Sequence, residues 1–546
     1  MDRGPLESTI RLLGRMTDSE HDFLLSTLQD SHPEVHCVHD DGKWHLLSHY
    51  THVLGEQMLV NDLDYLIRRK ALSLPCSHIR DELFANFLRY VYPLTPFLDI
   101  DDFYTRNMDG ESMRPVDGSL LLTQAILYAG SQFTDLSTFQ ELGFDTRREA
   151  CQHFRENVRV ENPDPIIQCL GIDTNAFSNI SACLVMSDWP YDTGEEETNH
   201  RYWIDQAVSL AFRMGLHKRN PDCRSESSRD KLQRRLWWSC YTKDRLSSFP
   251  HLERSRIMDT EYDIPPLKSQ DFAEAIYHPK IRIVAEDFVD EYNALVQGSV
   301  QLARLCIVLG RVVETFPITA SLLRKGRRGR VSRTSNSKKG VSPVSGAEVI
   351  QCKRALTVED EKELKTLICI PCTSGRLQLI QSSFSRIICG VCLCVACNWP
   401  NDSNANITNH DYQQEKSVKK TPGRARAQSI VSLSRLLGEL FRKDLLLYLP
   451  PQAAGFLNTA VRLHHPQGTT SSRHSIKAMQ GLKTLIQAVK ILGARYQRQL
   501  EGCDDALVGT VATGLTRARS EEHQSMHGFP EQTISPQWLT VATPTV

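Results

Sequence analysis

Apolar residues recur every three or four positions along most of this 546-residue chain, the spacing that puts one face of a helix into a core. Leu83, Phe84, Phe87, Leu88 and Val91 predict a first core helix, which stops at Tyr92-Pro93 because proline disfavours helix at the residue before it. Asp101 and Asp102 suit the start of another short helix, where carboxylates complement the macrodipole. Residues 120–133 predict an apolar helix whose small residues Ala125, Ala129 and Gly130 let a neighbour come close. A further helix runs from Arg147 to about Val158. The pattern then breaks at Pro163 and Pro165, since two prolines so close forbid a continuous helix, and it recovers at 182–187. Residues 159–181 are thus a loop or, the reading preferred, retained non-coding sequence.

The chain is organised around residues 234–245, which read R-R-L-W-W-S-C-Y-T-K-D-R. As a helix, this string puts Leu236, Trp237, Cys240 and Tyr241 on roughly one face. Adjacent tryptophans cannot face the same way at ~100° per residue, so Trp238 is expected to reach a second surface. The helix is therefore predicted to be clamped between two packing layers.

After Pro266 an amphipathic pattern extends from 272 to 316, with Leu295, Val296, Leu302, Leu305, Val308 and Leu309 as core candidates. Residues 321–350 are basic and rich in Gly and Ser, a composition that cannot bury a core and predicts disorder. From Leu364 the pattern is apolar again, with a polar insert at 401–426. Leu433, Leu436, Leu437, Leu440 and Phe441 predict one helix and residues 477–492 another, before a low-order tail from about 501. In the leader, 1–74, the crowded histidines include His32, His36 and His39. Pro33 and the turn at 40–42 break any helix they could share, so a solvated face is preferred to a metal site.

Charge and targeting narrow the class. Lys+Arg 64 against Asp+Glu 65 leaves a net charge of -1, so any nucleic-acid contact must come from a local patch. The start of the chain shows no apolar export signal, and the longest apolar run, 387–397, falls short of a membrane span. The 16 cysteines are then expected to be reduced thiols.

The central string resembles the most recurrent motif in the middle homology region of fungal binuclear zinc-cluster transcription regulators. Residues 203–217, W-I-D-Q-A-V-S-L-A-F-R-M-G-L-H, are similar to that family's A-x-x-L-A-x-x-x-G-L-H helix, and Tyr262-Asp263-Ile264-Pro265-Pro266 is similar to its F-D-I-P segment. Residues 445–450 resemble its D-L-x-x-Y-L-P segment. The likeness is greatest to the cutinase transcription factor group. The motif residues are Arg235, Trp237, Trp238, Cys240, Asp244 and Arg245, with Gly215 and His217. The resemblance covers about 62–500. It omits the six-cysteine DNA-binding cluster, which does not stand in this sequence; zinc is expected only if such a cluster is encoded upstream of Met1, and no cofactor is expected in the chain as given.

The resemblance implies an all-α, irregular multi-helix regulatory domain with a disordered basic linker and insert. Its parts are a weakly structured leader (1–74), a regulatory core (75–320), a basic linker (321–350), a C-terminal helical part (351–500, with the insert 401–426) and a tail (501–546). It implies a nuclear regulator of RNA polymerase II transcription, acting on a lipid, polymer-degradation or secondary-metabolite gene set. The partners implied are transcription coregulators and a second copy or a full-length zinc-cluster regulator as dimer partner, with direct DNA contact left open and no membrane. Arg324, Lys325, Arg327, Arg328, Arg330 and Arg333 form a cluster of the nuclear-import type.

Other chemistries have candidates in the sequence. Cys369-x2-Cys372 and Cys389-x2-Cys392 fit a four-cysteine zinc spacing and define an alternative, a zinc interaction module, but 387–397 reads better as a core helix in which cysteines act as small hydrophobes. Trp203, Trp237 and Trp238 are expected in core packing rather than around a ligand. No G-x-S-x-G, phosphate loop or dinucleotide fingerprint stands in context, so an enzyme is not expected. His217 is read as a cation capping a helix and Asp244–Arg245 as an ion pair framing the tryptophan helix.

Overall fold

The computed structural model describes residues 44–46, 73–100, 103, 119–158, 175–188, 198–219, 227–251, 253–272, 288–315, 376–397, 422–463 and 473–496. Helical periodicity is realised there as twelve α-helices, and the strands among the described residues are two short ones, so the chain is all-α. β1 (Trp44–Leu46) and β2 (Ser73–Pro75) pair antiparallel, and at three residues each they are too short for alternation to have announced them.

α1 (Ser77–Tyr90) ends where Pro93 predicts, in a 3₁₀ turn at Tyr92–Leu94. α2 (Leu120–Ser131) starts on Ser119, whose hydroxyl accepts the Leu122 N–H at 3.2 Å. It crosses α1 so closely that a β-carbon at Gly130 would stand 2.0 Å from the Leu83 carbonyl oxygen, which is why a glycine occupies that point. α3 (Leu136–Glu141) is a single short turn of helix, followed by α4 (Arg147–Val158) and α5 (Ala176–Met186). α6 (Thr198–Arg213) leads to α7 (Ser228–His251), the helix that carries the central string. Ser227 and Asp230 set the start of α7 by a reciprocal capping box, with Asp230 N–H on the Ser227 hydroxyl at 3.2 Å and Ser227 N–H on the Asp230 carboxylate at 3.0 Å.

α8 (Phe288–Thr315) and α9 (Arg376–Cys397) follow, then α10 (Pro422–Arg442), α11 (Gln452–Leu463) and α12 (Arg473–Arg495). The helices pack as a connected series: α1 on α2, α2 on α4 and α5, α5 on α6, and α7 on α8. α8 lies on α9, α9 on α10 and α11, and α12 covers α10 and α11. α7 touches α5, α6, α8 and α11, so it joins the two ends of the series. One hydrophobic cluster runs from Leu74 to Tyr496, shared by residues on both sides of 321–350.

Long-range polar ties reinforce this. The Pro93 carbonyl accepts from the Ser299 hydroxyl of α8 and from Gln381 Nε2 of α9, the latter at 3.2 Å, so the end of α1 is pinned to both helices. Gly298 leaves the space that the Gln381 amide fills.

The structure corrects several expectations. α10 begins at Pro422, inside the polar insert expected to extend to 426, because proline is preorganised for a first helical position. The tryptophan string's upstream helix, expected over 203–217, ends at Arg213. α11 was not expected at all. Two helices do contain windows, Leu295–Val312 and Arg376–Cys394, that are long and apolar enough to cross a membrane, contrary to the reading from 387–397 alone. Both pack inside the core, with 67% of each window buried. The leader other than β1 and β2, Asp101 and Asp102, residues 159–174, the linker with Arg324, Lys325, Arg327, Arg328, Arg330 and Arg333, most of the insert, and the tail lie outside the described residues.

Candidate functional site

The family-like residues converge on α7, and their surroundings explain why those residue types stand there. The helix is buried on every side from Arg234 to Leu246, charged residues included. Trp237 and Trp238 share Tyr262, at 5.8 and 5.7 Å, but otherwise meet different rings, in keeping with their 100° offset. Trp237 is 0% exposed and meets Phe212, His217 and Tyr262 with ring centroids 5.4, 5.9 and 5.8 Å away. Trp238 packs on Tyr241 at 5.1 Å and donates its indole N–H to the Pro265 carbonyl at 2.8 Å. At ~25 cal/mol per Å² and about 150–250 Å² per ring, each tryptophan contributes about 4–6 kcal/mol of burial. The Y-D-I-P-P segment is thus held by the second tryptophan through a backbone carbonyl.

The G-L-H string has an equally local cause. Gly215 adopts φ +72, a conformation that favours glycine, and closes α6 in a Schellman motif, with Leu216 N–H on the Ala211 carbonyl and Gly215 N–H on that of Phe212, both at 3.0 Å. His217 then turns back onto Phe212, its ring 4.9 Å away, and its carbonyl accepts the Asp263 N–H at 3.1 Å. Burial, with Lys218 next in order, holds the imidazole below its ordinary value. His217 is therefore an aromatic packing residue and not the capping cation expected, because its ring lies against Phe212 and Trp237.

The charges flanking the tryptophans are satisfied inside the protein. Arg234 pairs with Asp271, and Lys243 with Asp188, which also accepts from Gln452 of α11. Arg235 donates to the Leu98 carbonyl at 3.0 Å and the Tyr92 hydroxyl at 3.3 Å, and its guanidinium lies 5.7 Å from the Phe272 ring centroid. These bonds tie α7 to the turns after α1, α5 and α8's upstream loop, and to α11.

Asp244 and Arg245 approach each other only at 3.4 Å, and each has better partners elsewhere. Asp244 accepts the backbone N–H groups of Arg256 and Ile257, both at 3.0 Å, and so fixes the turn after α7. Burial outweighs those bonds and raises its carboxyl above the ordinary range. Arg245 donates to Asp259 at 2.9 Å and stacks 4.5 Å from the Tyr241 ring centroid, while Tyr241 donates its hydroxyl to Asp259 at 2.7 Å. The expected ion pair is present at 3.4 Å, and two clamps on residues 256–259 add to it.

Cys240 is fully buried, its thiol pushed up by desolvation. Cys389 and Cys392 are buried in α9, within a continuous helix, and Cys369 and Cys372 lie outside the described residues. Among the described residues no group of three or more His, Cys, Asp or Glu side chains is arranged to hold a metal. Trp203 is buried like Trp237 and Trp238, and a small apolar cleft lined by Leu88, Tyr92, Phe272 and Leu295 includes none of the three.

Residues 85–340 match the fungal specific transcription factor domain. A transcription factor of Fusarium pseudograminearum is 30% identical over 269 residues, 48% of this chain and 29% of its own length. Cutinase transcription factor 1 beta of Fusarium vanettenii is 30% identical over 254 residues, 46% of this chain and 26% of its own. The fusaric acid cluster transcription factor FUB12 of Fusarium oxysporum f. sp. lycopersici is 24% identical over 216 residues, 39% of this chain and 30% of its own. The chain therefore spans about a quarter to a third of the length of these relatives. They are transcription factors and not enzymes, in keeping with the sequence reading. No solved structure matches the chain.

Proposed function

We propose that this chain is a nuclear regulator of RNA polymerase II transcription, and that its helical body restrains or permits activation of a metabolic gene set. The observation that carries this is the match of residues 85–340 to the fungal specific transcription factor domain. Relatives whose names refer to cutinase and to the fusaric acid cluster favour polymer-degradation or secondary-metabolite genes as targets. Coregulators are the partners that such a body engages, and the cluster from Arg324 to Arg333 is the import signal. Deleting the gene and profiling transcripts tests this reading: a coordinated change in a set of extracellular hydrolase or biosynthetic genes supports it, and an unchanged transcriptome overturns it.

A second reading has the body act by dimerisation with a full-length zinc-cluster regulator, without touching DNA itself. The arginines of the motif favour it, because Arg234, Arg235 and Arg245 are 5%, 5% and 0% exposed and engaged internally, leaving them unavailable to phosphates. Sequence-selective mobility shift by this chain alone would remove this second reading.

A further inference from the structure

Among the described residues the large hydrophobic side chains left exposed are Leu136 and Leu447, at 39% and 40%. They are far apart in sequence yet border one surface. Leu136 opens α3, next to Asp135, and Leu447 sits in the 3₁₀ turn Leu446–Tyr448. Tyr448 packs on Tyr90 with ring centroids 5.0 Å apart, and Tyr90 stacks on Phe133 at 4.9 Å. Phe133 meets Tyr496 at 6.5 Å, and the Tyr496 hydroxyl donates to the Leu449 carbonyl at 2.6 Å. A row of rings thus joins the ends of α1 and α12 to the start of α3 and to the turn, with Tyr90 and Tyr448 half-buried.

Three arginines stand along this row. Arg376, the first residue of α9, lies 4.6 Å from the Tyr448 ring centroid. Arg495, the last of α12, donates to the Gln132 carbonyl at 2.9 Å. Arg147, the first of α4, is lowered from its ordinary value by burial, with Cys151, Tyr496, Asp135 and Tyr448 close enough to act on it. Burial raises the Tyr90 hydroxyl, on which Tyr448, Arg376, Arg89 and Asp135 also act. Asp135 and Tyr448, the chain neighbours of the two exposed leucines, therefore meet at one place. Among the described residues none of Arg147, Arg376 and Arg495 is in an ion pair. Arg376 also begins a helix with no acidic residue in its first turn, where a cation opposes the macrodipole instead of offsetting it. The surface is thus short of anions. A carboxylate answers a guanidinium with two parallel hydrogen bonds, whereas the leucines and tyrosine edges call for apolar side chains. A phosphate backbone would satisfy the arginines and leave Leu136 and Leu447 uncovered.

We propose that this surface docks a partner protein through a short acidic peptide that carries bulky apolar side chains. Its carboxylates pair with Arg147, Arg376 and Arg495, and its apolar residues cover Leu136, Leu447 and the open edge of Tyr448. The surface takes residues from both sides of 321–350, so the peptide binds the assembled body and neither half alone. That the partner is a coregulator rests on the transcriptional reading above. The docking does not, because it is read by binding in vitro and stands or falls apart from any transcript profile.

The test is fluorescence anisotropy of the full chain with a labelled peptide of Asp-Asp-Leu-Leu repeats. Saturable binding is expected, and the same peptide with Asn for Asp is expected to bind about tenfold more weakly. Arg376→Glu is expected to weaken the acidic peptide about tenfold and Leu447→Asn about fivefold. Both side chains are exposed, so the fold is retained, which circular dichroism confirms. Lys218→Glu, an exposed charge reversal at the end of α6, is expected to change nothing and controls for net charge. No binding, equal binding of the Asn peptide, or losses no greater than that of Lys218→Glu would each overturn the proposal. So would tighter binding of a labelled single-stranded oligonucleotide that Arg376→Glu abolishes, which would assign the surface to nucleic acid. A dimer in sedimentation that Leu447→Asn dissociates would assign it to a second copy of this chain and overturn the proposal as well.

Discussion

Gly310 of α8 lies directly against Arg245 of α7: a β-carbon at Gly310 would stand 2.5 Å from Arg245 Nε and 3.0 Å from Cζ. The guanidinium cannot simply move aside, because Asp259 and the Tyr241 ring hold it and no part of it reaches solvent. A glycine in the middle of a helix costs about 1 kcal/mol relative to alanine, so its place here is explained by that contact.

Gly310→Ala is expected to destabilise the protein by about 1–2 kcal/mol, the overpacking cost exceeding the gain in helix propensity. Gly438 of α10 has nothing within 4 Å of a β-carbon and is the control. Gly438→Ala is expected to stabilise by about 0.5–1 kcal/mol. Urea denaturation of both variants checks the opposite signs; the same sign for both would disprove the role given to the Arg245 contact.

Much of this packing was legible beforehand, and the exceptions have physical reasons. The helices around Leu83–Val91, 120–133 and 147–158 announce themselves because large apolar residues repeat at helical spacing. α11 does not, because Ala453, Ala454, Gly455 and Ala460 dilute its apolar stripe, although these small residues are what let it sit against Pro250 at the end of α7. Its anchor, the Thr459 hydroxyl on the Pro250 carbonyl at 2.8 Å, links residues 209 apart. The site shows the same division. The offset of Trp237 and Trp238 followed from helix geometry, whereas Asp244 capping residues 256 and 257 depends on how the chain folds back after α7.

Lys243 and Asp188 are both 2% exposed and paired, linking α7 to the end of α5. Lys243→Met removes the cation paired with the buried Asp188 carboxylate, and is expected to cost about 3–5 kcal/mol. Asp188→Leu removes the anion paired with the buried Lys243 ammonium and is expected to cost a similar amount. The double variant is expected to lose much less than the sum, because neither charge is then left without the other. A double-mutant cycle by urea denaturation measures this, and additive losses would show that the pair is not a unit.

His217 gives the stability a pH dependence of definite sign. Its folded value lies below the ordinary 6.5, so folding favours the neutral ring. Its contribution is fully present above about 6.5 and is lost as pH falls through the folded value, since the unfolded chain takes the proton first. Asp205 and Asp244, both raised by burial, act in the opposite sense, but they are common to wild type and variant and cancel in a difference. Between about pH 8 and pH 5, wild type is expected to lose more stability than His217→Phe. Parallel pH profiles for the two proteins would contradict the neutral imidazole.

The central claim is that the tryptophan-bearing helix is the internal hub joining the N-terminal and C-terminal helices into one body. Native-state hydrogen exchange tests it most directly. Amides from Arg234 to Leu246 are expected to be among the slowest in the chain, exchanging only with the free energy of global unfolding and slowing together with those of α9 and α11. Exchange in that segment as fast as in the short, partly exposed α3 would contradict the account.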